Sequence, residues 1–157
     1  MTRDKKIQTC HDFVDEVMND KNVDAIDQYF ADDYVEHNTI ESEPIHGLDE
    51  IKQTYDQMLT ACPDMTVTIE DAITQGDTVA VRYVSRGTHL AEFMGIPPTE
   101  NEVEIRGKDW YRFEDGEIVE GWVQIDALGL MQQLEVLPDE PSGPVGMITH
   151  FLKQLLP

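Results

Sequence analysis

Gly107-Lys108-Asp109-Trp110-Tyr111-Arg112-Phe113-Glu114-Asp115-Gly116-Glu117-Ile118-Val119-Glu120-Gly121-Trp122-Val123-Gln124-Ile125-Asp126 is the stretch whose reading decides the fold. It reads as two strands joined at Asp115-Gly116, a dipeptide that favours a tight hairpin turn. Pairing counted from that turn sets Glu114 opposite Glu117, Tyr111 opposite Glu120, Asp109 opposite Trp122 and Gly107 opposite Gln124. Strand side chains alternate between faces. One face is therefore expected to collect Asp109, Tyr111, Phe113, Glu120, Trp122, Gln124 and Asp126. The other collects Arg106, Lys108, Trp110, Arg112, Gly121, Val123 and Ile125. A solvent face carries fewer rings than the first set, and a sealed core carries fewer carboxylates; a pocket lining carries both.

Upstream, residues 4–20 predict an amphipathic helix, with Ile7, Cys10, Val14 and Val17 at helical spacing. Asn22 is placed to cap a short second helix, and 33–38 reads as extended. A third helix is expected over about 48–61, stopped by Pro63. Met65, Val67 and Ile69 alternate with polar residues as in a strand, Gln75-Gly76-Asp77 turns the chain, and Thr78 to about His89 forms the next strand. The adjacent Pro97 and Pro98 make 90–101 a loop. Residues 127–134 form a closing helix. The domain is expected to span 1–137, followed by a Pro- and Gly-rich linker over 138–144 and a helical tail over 145–157. Helices first and a long antiparallel sheet afterwards indicate an α+β domain, a curved sheet closed into a cone by helices on its concave side.

The chain has 157 residues, enough for one domain with a real core. Its 32 acidic residues against 11 Lys plus Arg give a formal charge of −21. Such a charge argues against nucleic acid and against anionic membranes as partners. The acids are spread along the chain, and self-repulsion among them is relieved by salt, which reads as adaptation to a high-salt cytoplasm. The alternative is an ordinary acidic protein. Cys10 and Cys62 lack metal or redox spacing and read as buried free thiols. No signal peptide and no long apolar run is visible, so the chain reads as cytoplasmic.

Gly87-Thr88-His89, then Phe93-Met94-Gly95-Ile96-Pro97-Pro98-Thr99, then the hairpin with Asp126, then Leu128-Gly129-Leu130-Met131-Gln132-Gln133-Leu134, together resemble the SnoaL-like polyketide cyclases. Tyr34-Val35-Glu36-His37-Asn38 fits as well, and the resemblance covers roughly residues 5–135. It implies the cone-shaped α+β fold of nuclear transport factor 2. It also implies ring closure of a polyketide ester by intramolecular aldol condensation, with no metal or cofactor and with an aspartate as general acid/base. By the Trp-x-x-x-Asp match that residue resembles Asp126.

An aldol closure needs a base for an acidic C–H and a proton for the new alkoxide, and one buried carboxylate serves both. Asp126 is the first candidate; its other role is to cap the helix that begins at Ala127. Asp109 either assists or pairs with Arg82 or Arg112 at the rim, and His37 either donates to a carbonyl or is a solvated rim residue. Trp122, Gln124, Asn38 and Tyr111 are expected to contact the substrate, Arg82 to bind an ester or acidic oxygen, and Phe93 to close a lid. His89 reads as a turn or surface residue. No ligand spacing for a metal appears. The expected partner is a small hydrophobic molecule, and the expected assembly a homodimer or higher homo-oligomer. Two other functions compete: a non-catalytic binding module, and an epoxide hydrolase, whose arginine would stand where this chain has Gly107.

Overall fold

The computed structural model describes residues 1–40 and 43–137. The expected linker and tail lie outside the described residues. Helix α1 spans Arg3–Phe13, started by Thr2, whose hydroxyl accepts from the Lys5 N–H at 3.3 Å. It runs on as a π-helical turn, Val14–Asn19, and is followed by a 3₁₀ helix, Val23–Gln28. Asn22 makes no capping bond; its amide reaches Glu16 at 3.2 Å instead. The Lys6 ammonium, buried to 5 % exposure, ties α1 down by donating to Asp77 at 2.7 Å and to the Gly76 carbonyl at 2.8 Å.

Strands β1 (Phe30–Asn38) and β2 (Ile45–His46) lead into helix α2 (Gly47–Ala61). Strands β3 (Thr66–Gln75), β4 (Thr78–Thr88), β5 (Glu102–Glu114) and β6 (Glu117–Ile125) follow, and helix α3 (Ala127–Gln133) closes the fold. The sheet has the order β2-β1-β6-β5-β4-β3 and is curved and unclosed. The α+β cone read from the sequence is the observed fold. All its strand pairs are antiparallel except β1 with β6, which is parallel. That pairing uses β1 as an outer partner of the hairpin, and α2, the helix between them in the chain, crosses the concave side. Phe13 sits at the centre of this packing, edge-on to Phe30 at 5.0 Å and to Tyr55 at 5.8 Å.

The hairpin turns at Asp115 (φ 47°) and Gly116 (φ 104°), as the dipeptide predicts. Its register then departs from the simple count. Glu114 pairs with Glu117 and Phe113 with Ile118, but Arg112 pairs with Glu120, leaving Val119 as the extra residue of a β-bulge. Beyond the bulge Tyr111 pairs with Gly121, Asp109 with Val123 and Gly107 with Ile125. The concave face therefore receives Gly121, Val123 and Ile125, while Glu120, Trp122 and Gln124 turn outward. The physical reason is burial. The unshifted register would bury Glu120 and Gln124 and expose Val123 and Ile125.

Candidate functional site

A cavity of about 210 Å³ lies between the concave sheet face and helices α1, α2 and α3. Most of its lining is apolar: Phe13, Met18, Met58, Val81, Val103 and Leu130 are representative. Two carboxyl groups interrupt it, Asp109 from β5 and Glu36 from β1, each only 4 % exposed.

Asp109 is held by three donors. The Tyr111 hydroxyl donates to Oδ2 at 3.0 Å, the Tyr83 hydroxyl to Oδ1 at 3.4 Å, and the Gln124 backbone N–H to Oδ1 at 3.3 Å. Burial pushes its pKa up to about 7, the charge of Glu36 adding to the rise while these hydrogen bonds oppose it. Glu36 is also raised by burial, against hydrogen bonds from Tyr34 and Asn38; the Tyr34 contact is 3.1 Å. Tyr55, bonded to Tyr111, completes a shell of four tyrosines around the two acids. Burial raises all four phenols, so they act as donors and remain protonated.

Two glycines make that shell possible. A Cβ on Gly107 would lie 2.2 Å from the Tyr83 ring, which crosses it to reach Asp109. A Cβ on Gly121 would lie 2.2 Å from the Tyr34 hydroxyl. Both positions need glycine for space.

Several expected site residues stand elsewhere. Asp126 is exposed and caps α3, its Oδ1 accepting from the Gly129 N–H at 2.9 Å. The bulge carries Trp122 (39 % exposed) and the Gln124 side chain to the outer face; only the Gln124 backbone reaches the site. His37 lies on that outer face as well, stacked on Trp122 at 5.6 Å with Nε2 3.0 Å from Glu120. Arg82 is outside the cavity, paired with Glu70. Asp109, Tyr111, Asn38 and Phe93 do line the cavity. Phe93 enters it from a tight turn, Phe93–Ile96, in which Met94 (φ 54°) and Gly95 (φ 78°) take positive φ.

Sequence reasoning passed over Glu36 and Tyr55, which line the cavity, and Tyr34, which donates to Glu36; His89, expected on a turn or the surface, is buried and lines the cavity as well. Alternation gave a usable signal for two of them, since Tyr34 and Glu36 share a face in an extended segment. Among the described residues no three His, Cys, Asp or Glu side chains are grouped to hold a metal ion. No helix among them is long and apolar enough to cross a membrane.

The family model for SnoaL-like polyketide cyclases matches residues 8–134. The chain belongs to the SnoaL-like polyketide cyclase family. IdmH from Streptomyces antibioticus, a candidate polyketide cyclase, is 32 % identical, with a TM-score of 0.70 over 81 % of this chain and 96 % of its own. AclR from Streptomyces galilaeus, a candidate hydroxylase, is 26 % identical, with a TM-score of 0.78 over 87 % of this chain and all (100 %) of its own. A SnoaL-like polyketide cyclase from Agrobacterium tumefaciens is 20 % identical, with a TM-score of 0.68 over 80 % and 94 %, and speaks for the fold alone. No curated protein matches the chain.

Proposed function

We propose that this SnoaL-like protein is a proton-transfer enzyme of the polyketide-cyclase type, acting on a small hydrophobic carbonyl compound, with Asp109 as its general acid/base. One observation carries the reading: a carboxyl group enclosed in an apolar, tyrosine-lined cavity, with its pKa brought to about 7 by burial. A base of that pKa is half-ionised near neutrality, where the product of available base and proton-transfer driving force is largest. The carboxylate removes a proton from a C–H between carbonyls and becomes the acid. The enolate carbon then bonds to a second carbonyl carbon within the same molecule. The alkoxide formed takes the proton back from Asp109, so the enzyme ends as it began. Glu36 opposes ionisation of Asp109 and so makes its carboxylate a stronger base for the first proton transfer.

The test needs no natural substrate. Solvent deuterium exchange at C1 of 2-tetralone, a bicyclic ketone of suitable size, reports abstraction of an α proton. The wild type is expected to accelerate the exchange. Asp109→Asn should reduce that acceleration by roughly 10²–10⁴-fold, the usual contribution of a general base, while Asp126→Asn should leave it intact. Equal exchange in the wild type and Asp109→Asn rejects Asp109 as the base. Saturable binding of 2-tetralone with no accelerated exchange assigns the cavity to a binding module.

A further inference from the structure

His89 is 1 % exposed and lines the cavity, yet its Nε2 has no hydrogen-bond partner among the described residues. The opposite edge of the ring is fixed. Nδ1 accepts from the Thr99 N–H at 3.3 Å and lies 3.1 Å from the Thr99 hydroxyl. That hydroxyl oxygen accepts in turn from the Asn101 N–H at 3.3 Å, which leaves its own proton to point at Nδ1. An Nδ1 that accepts is unprotonated, so the ring's proton resides on Nε2. A buried donor is thus held in one tautomer and one orientation, without an acceptor among the described residues. An unmet buried N–H is costly to a fold, and a chain that keeps one has a reason to.

The surroundings say what the donor meets. The Leu90 N–H donates to the Ala61 carbonyl at 2.8 Å, which sets His89 beside the last turn of α2. Phe93, Val103 and Leu134 line the cavity with it and bring no competing acceptor side chain. Thr88 pairs with Glu102 whereas Val81 pairs with Asp109, so His89 and Asp109 stand toward opposite ends of the β4–β5 pair.

We propose that the His89 end of the cavity is a carbonyl subsite, in which Nε2–H donates to a ketone or ester oxygen of the bound molecule remote from the atoms that Asp109 serves. His89 is then a positioning and specificity residue. It selects ligands bearing an oxygen acceptor at the far end over hydrocarbons of the same shape. This inference rests on the cavity being the ligand site, and not on proton transfer at Asp109.

Binding of 6-acetyl-2-tetralone and of 6-ethyl-2-tetralone, its analogue without the second, far-end carbonyl, tests it. The ratio of the two Kd values is compared across the wild type, His89→Leu and Asp109→Asn. The preference for the acetyl compound should fall about tenfold in His89→Leu, the scale of one buried hydrogen bond, and persist in Asp109→Asn. An unchanged ratio in His89→Leu overturns the subsite. Loss of the preference in Asp109→Asn alone also overturns it, moving the polar anchor to Asp109 and leaving the proposed function standing. Failure of both probes to bind rejects the cavity as the ligand site, and both readings with it. If His89→Leu does not fold, ¹⁵N-histidine spectra of the wild type decide. The His89 Nε2–H resonance should shift on saturation with 6-acetyl-2-tetralone and not with 6-ethyl-2-tetralone, and indifference to the acetyl group overturns the proposal.

Discussion

At Asp109 three hydrogen-bond donors favour the charged form and burial opposes them; burial wins, and the pKa rises from 3.8 to about 7. This has a thermodynamic consequence independent of any substrate. Between about pH 4 and pH 7 the native chain holds a proton on Asp109 that the unfolded chain has released. Stability contributed by the neutral carboxyl is therefore full below the unfolded pKa and lost as pH rises through the folded one. At about 1.4 kcal/mol per unit of pKa, the loss reaches up to about 4 kcal/mol by pH 8. Asp109→Asn removes this dependence, because the amide oxygen still accepts from the Tyr83 hydroxyl and the Gln124 N–H, the amide nitrogen can donate to the Tyr111 oxygen, and nothing is left to ionise. Thermal unfolding of both proteins at pH 4 and pH 8 should find the variant close to the wild type at low pH and clearly more stable at high pH. A gap of the same size at both pH values would mean that Asp109 is not held neutral by burial. Asp126 makes the contrasting case. A residue just before a helix can cap it or face a pocket, and the letters at 122–126 are the same either way. The direction of the side chain followed from the register of the strand before it, which no single residue encodes.

That register belongs to the hairpin. Element type was legible almost throughout: α1, α2, β3, β4, the Asp115-Gly116 turn and α3 lie within a few residues of where periodicity, prolines and turn residues put them. What count-and-alternate reasoning missed is the single extra residue, Val119, that reverses the facing of everything after it in β6. The sequence did contain the conflict. Asp109, Tyr111 and Phe113 share one parity in β5, while the small and apolar Gly121, Val123 and Ile125 share the parity of β6 that an unbroken register would turn outward. Only a bulge puts both sets on one face. Gly121 has a further role, since it faces the Tyr34 hydroxyl across the parallel β1–β6 junction. Gly121→Ala should cost roughly 1–3 kcal/mol by overpacking. In a Tyr34→Phe background, where the atom at 2.2 Å is gone, the same change should cost much less. Urea unfolding of the four proteins gives the coupling energy. A cost that is the same in both backgrounds would show that the close approach to Tyr34 is not why glycine stands there.

On the scale of the whole molecule, charge is the dominant long-range force. The described ion pairs join as many Lys and Arg as acids and leave the excess acids outside them: Glu104 takes both Arg86 and Arg106, and Arg112 is shared between Glu114 and Glu120. Even if every one of the 11 Lys and Arg were paired, the formal charge would remain −21. Salt acts on this balance in two directions. It weakens exposed pairs, which are worth little each, and it screens the repulsion among the excess carboxylates, whose range falls from about 10 Å at 0.1 M to about 3 Å at 1 M. With the excess so much larger than the number of pairs, screening of repulsion should win. The melting temperature at pH 7.5 should therefore rise by more than about 5 °C between 0.05 and 1 M KCl, equivalent to roughly 2 kcal/mol for a chain of this size. The rise should shrink at pH 4.5, where protonation removes much of the negative charge. A melting temperature that stays flat or falls with KCl at pH 7.5 would mean that the acids are spaced widely enough to ignore one another, and the high-salt reading of the composition would go with it.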